Sequence, residues 1–246
     1  MDEPTTDEST PSAESRLTRQ EISAAASGLG WRFILGTLQT YVLVNSLAEA
    51  AGVVASVTVA TGAQADQSLR ADVRADRVVL TLQSAITGWV TPREIDLAGQ
   101  ISALVTGLGL KTSAGAGPAG PAPATRTVQG LEIGIDALAI PAIRPFWQAV
   151  LGYVDEPGQD GAPNGLVDPV GQGPAVWFQQ MDVPRPQRNR IHFDVSVPPD
   201  EAADRIAATL AAGGRLLSDA EAPAFWVLAD PEGNEACVCT WEGRDT

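Results

Sequence analysis

Residues 111–126 read KTSAGAGPAGPAPATR, a run of small residues, glycine and proline with a charge at each end. Nothing in it is large enough to build a core, and glycine and proline both oppose regular structure, so it reads as a linker. A chain of 246 residues broken there is expected to fold as two bodies of roughly a hundred residues each, the usual size of small independent domains. Residues 1–15, MDEPTTDESTPSAES, show no apolar period and are expected to form a disordered acidic tail. The domains then fall at 16–110 and 127–246.

The formal net charge is −14, from 30 acidic against 16 basic residues, and no basic cluster offsets it locally. Such a chain repels phosphate backbones and anionic lipid, which argues against nucleic-acid and membrane partners. The acidity itself is explained by solubility. No run of about 20 apolar residues is present to span a bilayer. The first residues lack the basic-then-apolar order of a secretory signal, so the cytoplasm is the expected compartment.

Local signals give the first domain an element order. Thr18 followed by Glu21 is a capping box that opens a helix to about Gly28. Trp31 to Ser46 alternates as two short strands about a turn at Gly36. Leu47, Ala51, Val54, Val57 and Ala60 keep helical spacing through a stretch rich in β-branched residues. Residues 71–84 read as two strands about a turn near Ala75, with Asp66 and Asp72 as solvated turn residues. Thr91-Pro92-Arg93-Glu94 then caps a helix to about Gly107. The order is α-β-β-α-β-β-α.

The second domain repeats itself. Leu131-Glu132-Ile133 and Ile191-His192-Phe193 are strand segments 60 positions apart, and the following helices keep the offset, Phe146 with Ile206 and Val150 with Leu210. The helices end at Gly152 and Gly213-Gly214, and the copies close with PAVWFQQ and NEACVCTW. Two copies at this period are a duplicated β-α-β-β-β module rather than a solenoid. The fold class is α+β throughout. Cys237 and Cys239 lie on one face of the last strand, a poor disulfide geometry, and read as free, buried thiols. Asp230-Pro231-Glu232-Gly233-Asn234 is turn chemistry, with Gly233 or Asn234 supplying positive φ.

Over about residues 16–108 the segments LTRQEI, LGWR, DRVVLTL and GWVTPREIDLAGQI resemble pterin-4a-carbinolamine dehydratases. The resemblance implies a His-His-Pro-Asp motif after the second helix and a further histidine at the end of the last strand, for proton transfer and pterin contact. Here those positions hold Gln67, Ser68, Leu69 and Arg70, and then Ala85. Amide, hydroxyl and methyl groups do not titrate near neutral pH. A retained fold with lost dehydratase activity is therefore expected. Relatives in that family self-associate, so the resemblance also implies a homo-oligomer.

Over about residues 128–243 the strand LEIGIDAL, the helix PFWQAVLGY, the strand RIHFDVSV and the closing DPEGNEACVCTW resemble the glyoxalase-like, or vicinal-oxygen-chelate, superfamily. Enzymatic members of that family hold a divalent metal through the first and last strands of each module. The matching first-strand positions are Glu132 and His192, the one histidine of the chain. The last-strand positions are Cys237 and, in the first module, Trp177 by strict offset or Gln179 if a gap shifts the register. Glu132, His192 and Cys237 are thus the candidate metal ligands, and a divalent metal is the one cofactor the resemblance allows. Without metal, His192 is a satisfied pocket histidine and Cys237 a packed thiol.

Trp177 and Trp226, with Phe178 and Phe225, are aromatics that either line a cleft or pack between strands. With Glu132, Gln179, His192 and Cys237 they would suit a flat or partly apolar small molecule. Three readings stand: a small-molecule binding protein with a dehydratase-like domain for assembly, a metal-dependent lyase, isomerase or dioxygenase at the same cleft, and a true carbinolamine dehydratase.

Overall fold

The computed structural model describes residues 17–115, 128–157, 165–184, 191–240 and 242–243. The chain divides into two compact units, Met1–Gly130 and Leu131–Thr246. The expected tail and most of the expected linker lie outside the described residues. Among those described, no helix is long and apolar enough to cross a membrane. Mixed α+β structure fills both units.

In the first unit, α1 (Arg19–Ser27), β1 (Arg32–Ile34), β2 (Thr37–Leu43), α2 (Leu47–Thr61), β3 (Leu69–Val73), β4 (Arg77–Leu82) and α3 (Pro92–Gly107) follow in order. Thr18 and Glu21 complete the capping box of α1, as do Thr91 and Glu94 for α3. The strands pair antiparallel in the order β1-β2-β4-β3. The β-branched stretch is helical because Ala50, Val53, Val57 and Thr61 form one buried stripe against the sheet. Packing of that stripe outweighs the weak propensity of valine and threonine. Trp31 is wholly buried, and its Nε1 donates to Ser102 Oγ at 2.9 Å.

The linker reading begins too early. Thr112–Ser113 forms a short strand, β5, paired antiparallel with Tyr41 and Val42 of β2. Val128 in turn buries itself against Tyr41. Small polar side chains carry no hydrophobic signal, and backbone pairing with β2 recruits them all the same.

In the second unit, β6 (Glu132–Ala137), α4 (Ile140–Leu151), β7 (Val154–Asp155), β8 (Gly165–Val167) and β9 (Ala175–Gln180) form one module. The other comprises β10 (Phe193–Ser196), α5 (Pro199–Ala211), β11 (Arg215–Ser218), β12 (Phe225–Ala229) and β13 (Glu235–Cys239). Their sheets run β6-β9-β8-β7 and β10-β13-β12-β11, each with a parallel first pair. Ile133 lies opposite Val176, and Phe193 opposite Ala236. The 60-residue offset therefore holds on both strands without a gap, which makes Trp177 the counterpart of Cys237. Each copy also carries a D-P-x-G turn before its last strand, at Asp168 and at Asp230.

One core joins the modules: Ile135, Ile143, Phe146, Trp147 and Val176 from the first pack with Leu228, Ala236 and Val238 from the second. Helix α4 is held by the second module at three points. Trp147 Nε1 donates to the buried Asp230 Oδ2 at 3.0 Å, and the Trp147 ring meets Phe193 edge-on at 5.3 Å. Ahead of α4, the Glu232 carboxylate accepts from Leu138 N at 2.8 Å and Ala139 N at 2.6 Å. At its C-terminus Arg205 Nη1 donates to Val150 O at 3.1 Å. An anion at the start and a cation at the end both suit the helix dipole.

Asp230 is wholly buried and also accepts from Glu232 N, Asn234 N and Asn234 Nδ2. Removing it strands the buried Trp147 Nε1 and three part-buried donors, whereas Glu232 is exposed and water can replace it. Asp230→Ala is expected to lower the stability of the C-terminal unit by about 3 kcal/mol and Glu232→Ala by about 1 kcal/mol. Urea unfolding of the two variants measures the difference, and equal losses would contradict the ranking.

Candidate functional site

Strand alternation sorts the second unit's side chains into two faces. Ile135, Ala137, Val176 and Phe178 of the first module, and Ala236 and Val238 of the second, turn into the core beneath the helices. The residues between them turn the other way, because successive side chains on a strand point to opposite faces. In the first module that open face carries Glu132, Gly134, Trp177 and Gln179, all exposed. A side chain at Gly134 would meet the Trp177 indole at 3.1 Å, so this glycine is what lets the ring lie across β6. In the second module the same face carries the exposed His192 and Asp194 and the buried Cys237.

His192, Asp194 and Cys237 form a cluster. One ligand-type atom from each lies within 4.8 Å of the other two. His192 Nε2 is 3.4 Å from Asp194 Oδ1, and the register sets Asp194 directly beside Cys237. Burial, and then the neighbouring Asp194 carboxylate, push the Cys237 thiol up to about 11. A thiol so placed stays protonated near neutral pH and is a poor nucleophile.

This cluster differs from the set expected from the sequence. Two of the three candidate metal ligands, His192 and Cys237, come together, and Asp194 takes the place expected for Glu132. The signal for Asp194 was present in His192-Phe193-Asp194, since positions two apart on a strand share a face. The donors suit a divalent metal: imidazole nitrogen, carboxylate oxygen and thiol sulfur are all ligand atoms for zinc-like ions.

Glu132 instead lines a cavity of about 860 Å³ between the modules. Its walls include Ile135, Leu138, Trp147 and Phe193, with carboxylates from Glu132, Asp136, Glu232 and Glu235. No lysine, arginine or histidine lines it among the described residues. Trp226, expected in the ligand-binding set, is not among the residues that line this cavity. It pairs with Val238 and packs against the core on the helix-facing side, so it is an interior residue of β12. Phe178 is likewise core. Gln179 stays on the open face, its amide only 3.4 Å from the neighbouring Gln180 carbonyl.

In the first unit the positions matched to dehydratase histidines converge without their chemistry. Ala85 N donates to Gln67 O at 2.8 Å, and Gln83 N to Ser68 O at 2.9 Å. Ser68 is buried, and its hydroxyl donates to Glu94 Oε1 at 2.6 Å. Glu94 is 1% exposed, and its other oxygen accepts from Thr91 N and Thr91 Oγ1. Ser68 thus completes the cap of α3. Leu69 and Arg70 begin β3, and desolvation lowers the Arg70 pKa.

Residues 132–239 match the family described as a glyoxalase-like domain. All of the second unit's described strands lie within that match. No curated protein matches the chain. Among solved structures, it is similar to a glyoxalase/bleomycin resistance protein/dioxygenase family enzyme from Burkholderia phytofirmans PsJN. Identity is 18% over 44% of this chain and 95% of that one, with a TM-score of 0.33. The fosfomycin resistance protein FosX from Listeria monocytogenes, solved with Mn(II) and sulfate, is 12% identical over 46% and 91%, at 0.36. A transcriptional coactivator/pterin dehydratase from Brucella melitensis is 23% identical over 36% and 97%, at 0.32.

The glyoxalase-like unit holds both cysteines of the chain, and both are buried. Iodoacetamide at pH 8 is expected to leave the native protein unmodified on the timescale that fully alkylates free cysteine, and to label both thiols in urea. Native labelling at the free-thiol rate, read by mass spectrometry, would contradict this.

Proposed function

We propose that the glyoxalase-like unit binds a small molecule in the cavity between its two modules, and that the N-terminal unit is a dehydratase-like scaffold for self-association without catalysis of its own. The cavity is the observation that supports the first part. Its volume of about 860 Å³ falls in the range of roughly 300–1,000 Å³ usual for small-molecule sites. Its lining mixes Ile133, Ile135, Trp147 and Phe193 with the carboxylates of Glu132, Asp136, Glu232 and Glu235, so apolar surface and polar anchors are both present. The Glu132 and Glu232 carboxylates in the lining favour an uncharged or cationic ligand over an anion.

For the scaffold, the support is the engagement of Ser68 with Glu94 and the methyl side chain at Ala85. Neither offers a proton carrier near neutral pH. A second reading, a metal-dependent lyase, isomerase or dioxygenase, draws on the His192, Asp194 and Cys237 cluster.

Ligand-observed NMR on the full chain tests the cavity, using a set of planar aromatic amines, neutral aromatics and aromatic carboxylates. Binders are expected among the first two groups, with the signal lost in Ile191→Trp, which fills the cavity from an exposed position. No binder in any group, or binding unaffected by that substitution, would sink the reading. The scaffold is tested by carbinolamine dehydration, expected at the uncatalysed rate. Turnover that disappears in a Gln67 or Ser68 variant would overturn it.

A further inference from the structure

We propose that the open face of the first unit's sheet is a docking surface for an acidic segment, and that its occupant is residues 1–15 of the same chain. Strand register builds the surface. Arg32 lies opposite Gln39, Gln39 opposite Thr81, and Thr81 opposite Arg70. One row therefore crosses β1, β2, β4 and β3 with a guanidinium at each end and an amide and a hydroxyl between. Leu38, Leu80 and Leu82 alternate with these residues and fill the core, so the row turns away from it.

The positive charge of this row is unanswered. Arg74 and Arg77, at the turn between β3 and β4, pair with Asp72 and Asp76. Arg32 and Arg70 are exposed and have no carboxylate partner among the described residues. Arg32 Nη1 donates to the Trp31 carbonyl at 3.0 Å, and Arg70 Nη2 reaches the Gln83 amide oxygen at 3.5 Å. Both acceptors are neutral, and desolvation lowers the Arg70 pKa with no anion to offset it. The next row is closed, because Val128 covers Tyr41 there.

Charge and position together name the occupant. Residues 1–15 hold Asp2, Glu3, Asp7, Glu8 and Glu14 and no lysine or arginine. The described chain begins beside the row. The Leu17 carbonyl accepts from Trp89 Nε1 at 3.3 Å, and Trp89 lies against Gly36, where an added Cβ would meet its ring at 3.3 Å. Gln83 Nε2 donates to the Gly36 carbonyl at 3.3 Å, and Gln83 in turn meets Arg70. A continuous run of contacts thus leads from Leu17 to one end of the row.

The other end is within reach. Arg32 stands three strand spacings from Arg70, roughly 14 Å, and fifteen extended residues span up to about 50 Å. Tethering next to the row gives the acidic segment an effective concentration on the order of millimolar there. Exposed ion pairs that are weak one by one then suffice to hold it, and salt screens them.

The test compares the full chain with a variant lacking residues 1–15 by two-dimensional amide NMR at low salt. The signals of Arg32, Gln39, Thr81 and Arg70 are expected to differ between the two and to coincide in about 0.5 M sodium chloride. A synthetic peptide of residues 1–15 should move these signals in the truncated protein toward their full-chain positions. At equal concentration it should move those of the full chain at least fivefold less. Arg32→Gln combined with Arg70→Gln, both at exposed positions, should abolish the peptide's effect with the fold intact by circular dichroism. A peptide with its five acids replaced by the matching amides should do nothing.

Identical signals with and without residues 1–15 at low salt would overturn the proposal. So would a peptide response that survives the double substitution, or one that the amide peptide reproduces. Full-chain signals that change with protein concentration would put the segment on a neighbouring copy and overturn it as well.

Discussion

The glyoxalase-like unit depends on the grip of its second module on α4. Two four-stranded sheets do not by themselves define a cleft, since each could bury its core face under its own helix. The contacts through Asp230, Glu232 and Arg205 hold α4 near both ends and at its middle, and so set one module against the other. The middle contact matters most. Asp230 and Trp147 are both buried, and a buried donor left without its acceptor costs far more than an exposed one. The end contacts are weaker, because they are partly open to water and act through the helix dipole.

That grip is one-sided, although the modules are copies. Asp168 occupies the turn that matches Asp230, and its carboxylate accepts from Val170 N, Gln172 N and Gly173 N within its own loop. Burial raises the Asp168 pKa, but these backbone donors outweigh it and leave the group below the usual carboxylate range. Position 207, which matches Trp147, is alanine, so no indole is there to bond. Duplication supplied two turns of one kind, and divergence made one of them a brace between modules. The open faces diverged in the same way: glycine and tryptophan at 134 and 177 stand where the second copy has aspartate and cysteine at 194 and 237.

Much of the architecture was legible in the sequence because its signals are local. Capping boxes at Thr18 and Thr91, the glycine after α4 and the 60-residue period each depend on residues near in the chain, or on comparing the chain with itself. The candidate site was legible only in part. His192 and Cys237 stand at matched first-strand and last-strand positions of the repeat, whereas Asp194 is matched by Gly134 in the first module and so carries no repeated signal. Trp226 lies on the core face of β12, and one step of strand alternation is enough to move a side chain from one face of a sheet to the other. The pairing of Thr112 and Ser113 with β2 left no mark in their side chains.

By itself, then, the sequence determined two folded units of mixed α+β structure, a doubled module in the second, and an N-terminal unit with no histidine at all. Those are matters of composition, periodicity and capping, which act over a few residues. Only the tertiary structure decided which polar groups meet. Strand register put Asp194 rather than Glu132 beside Cys237, and chain packing carried Ser68 to a carboxylate 26 residues away. Hydrogen bonds and ligand clusters act over about 3 Å, and which groups come that close depends on how distant segments pair and pack.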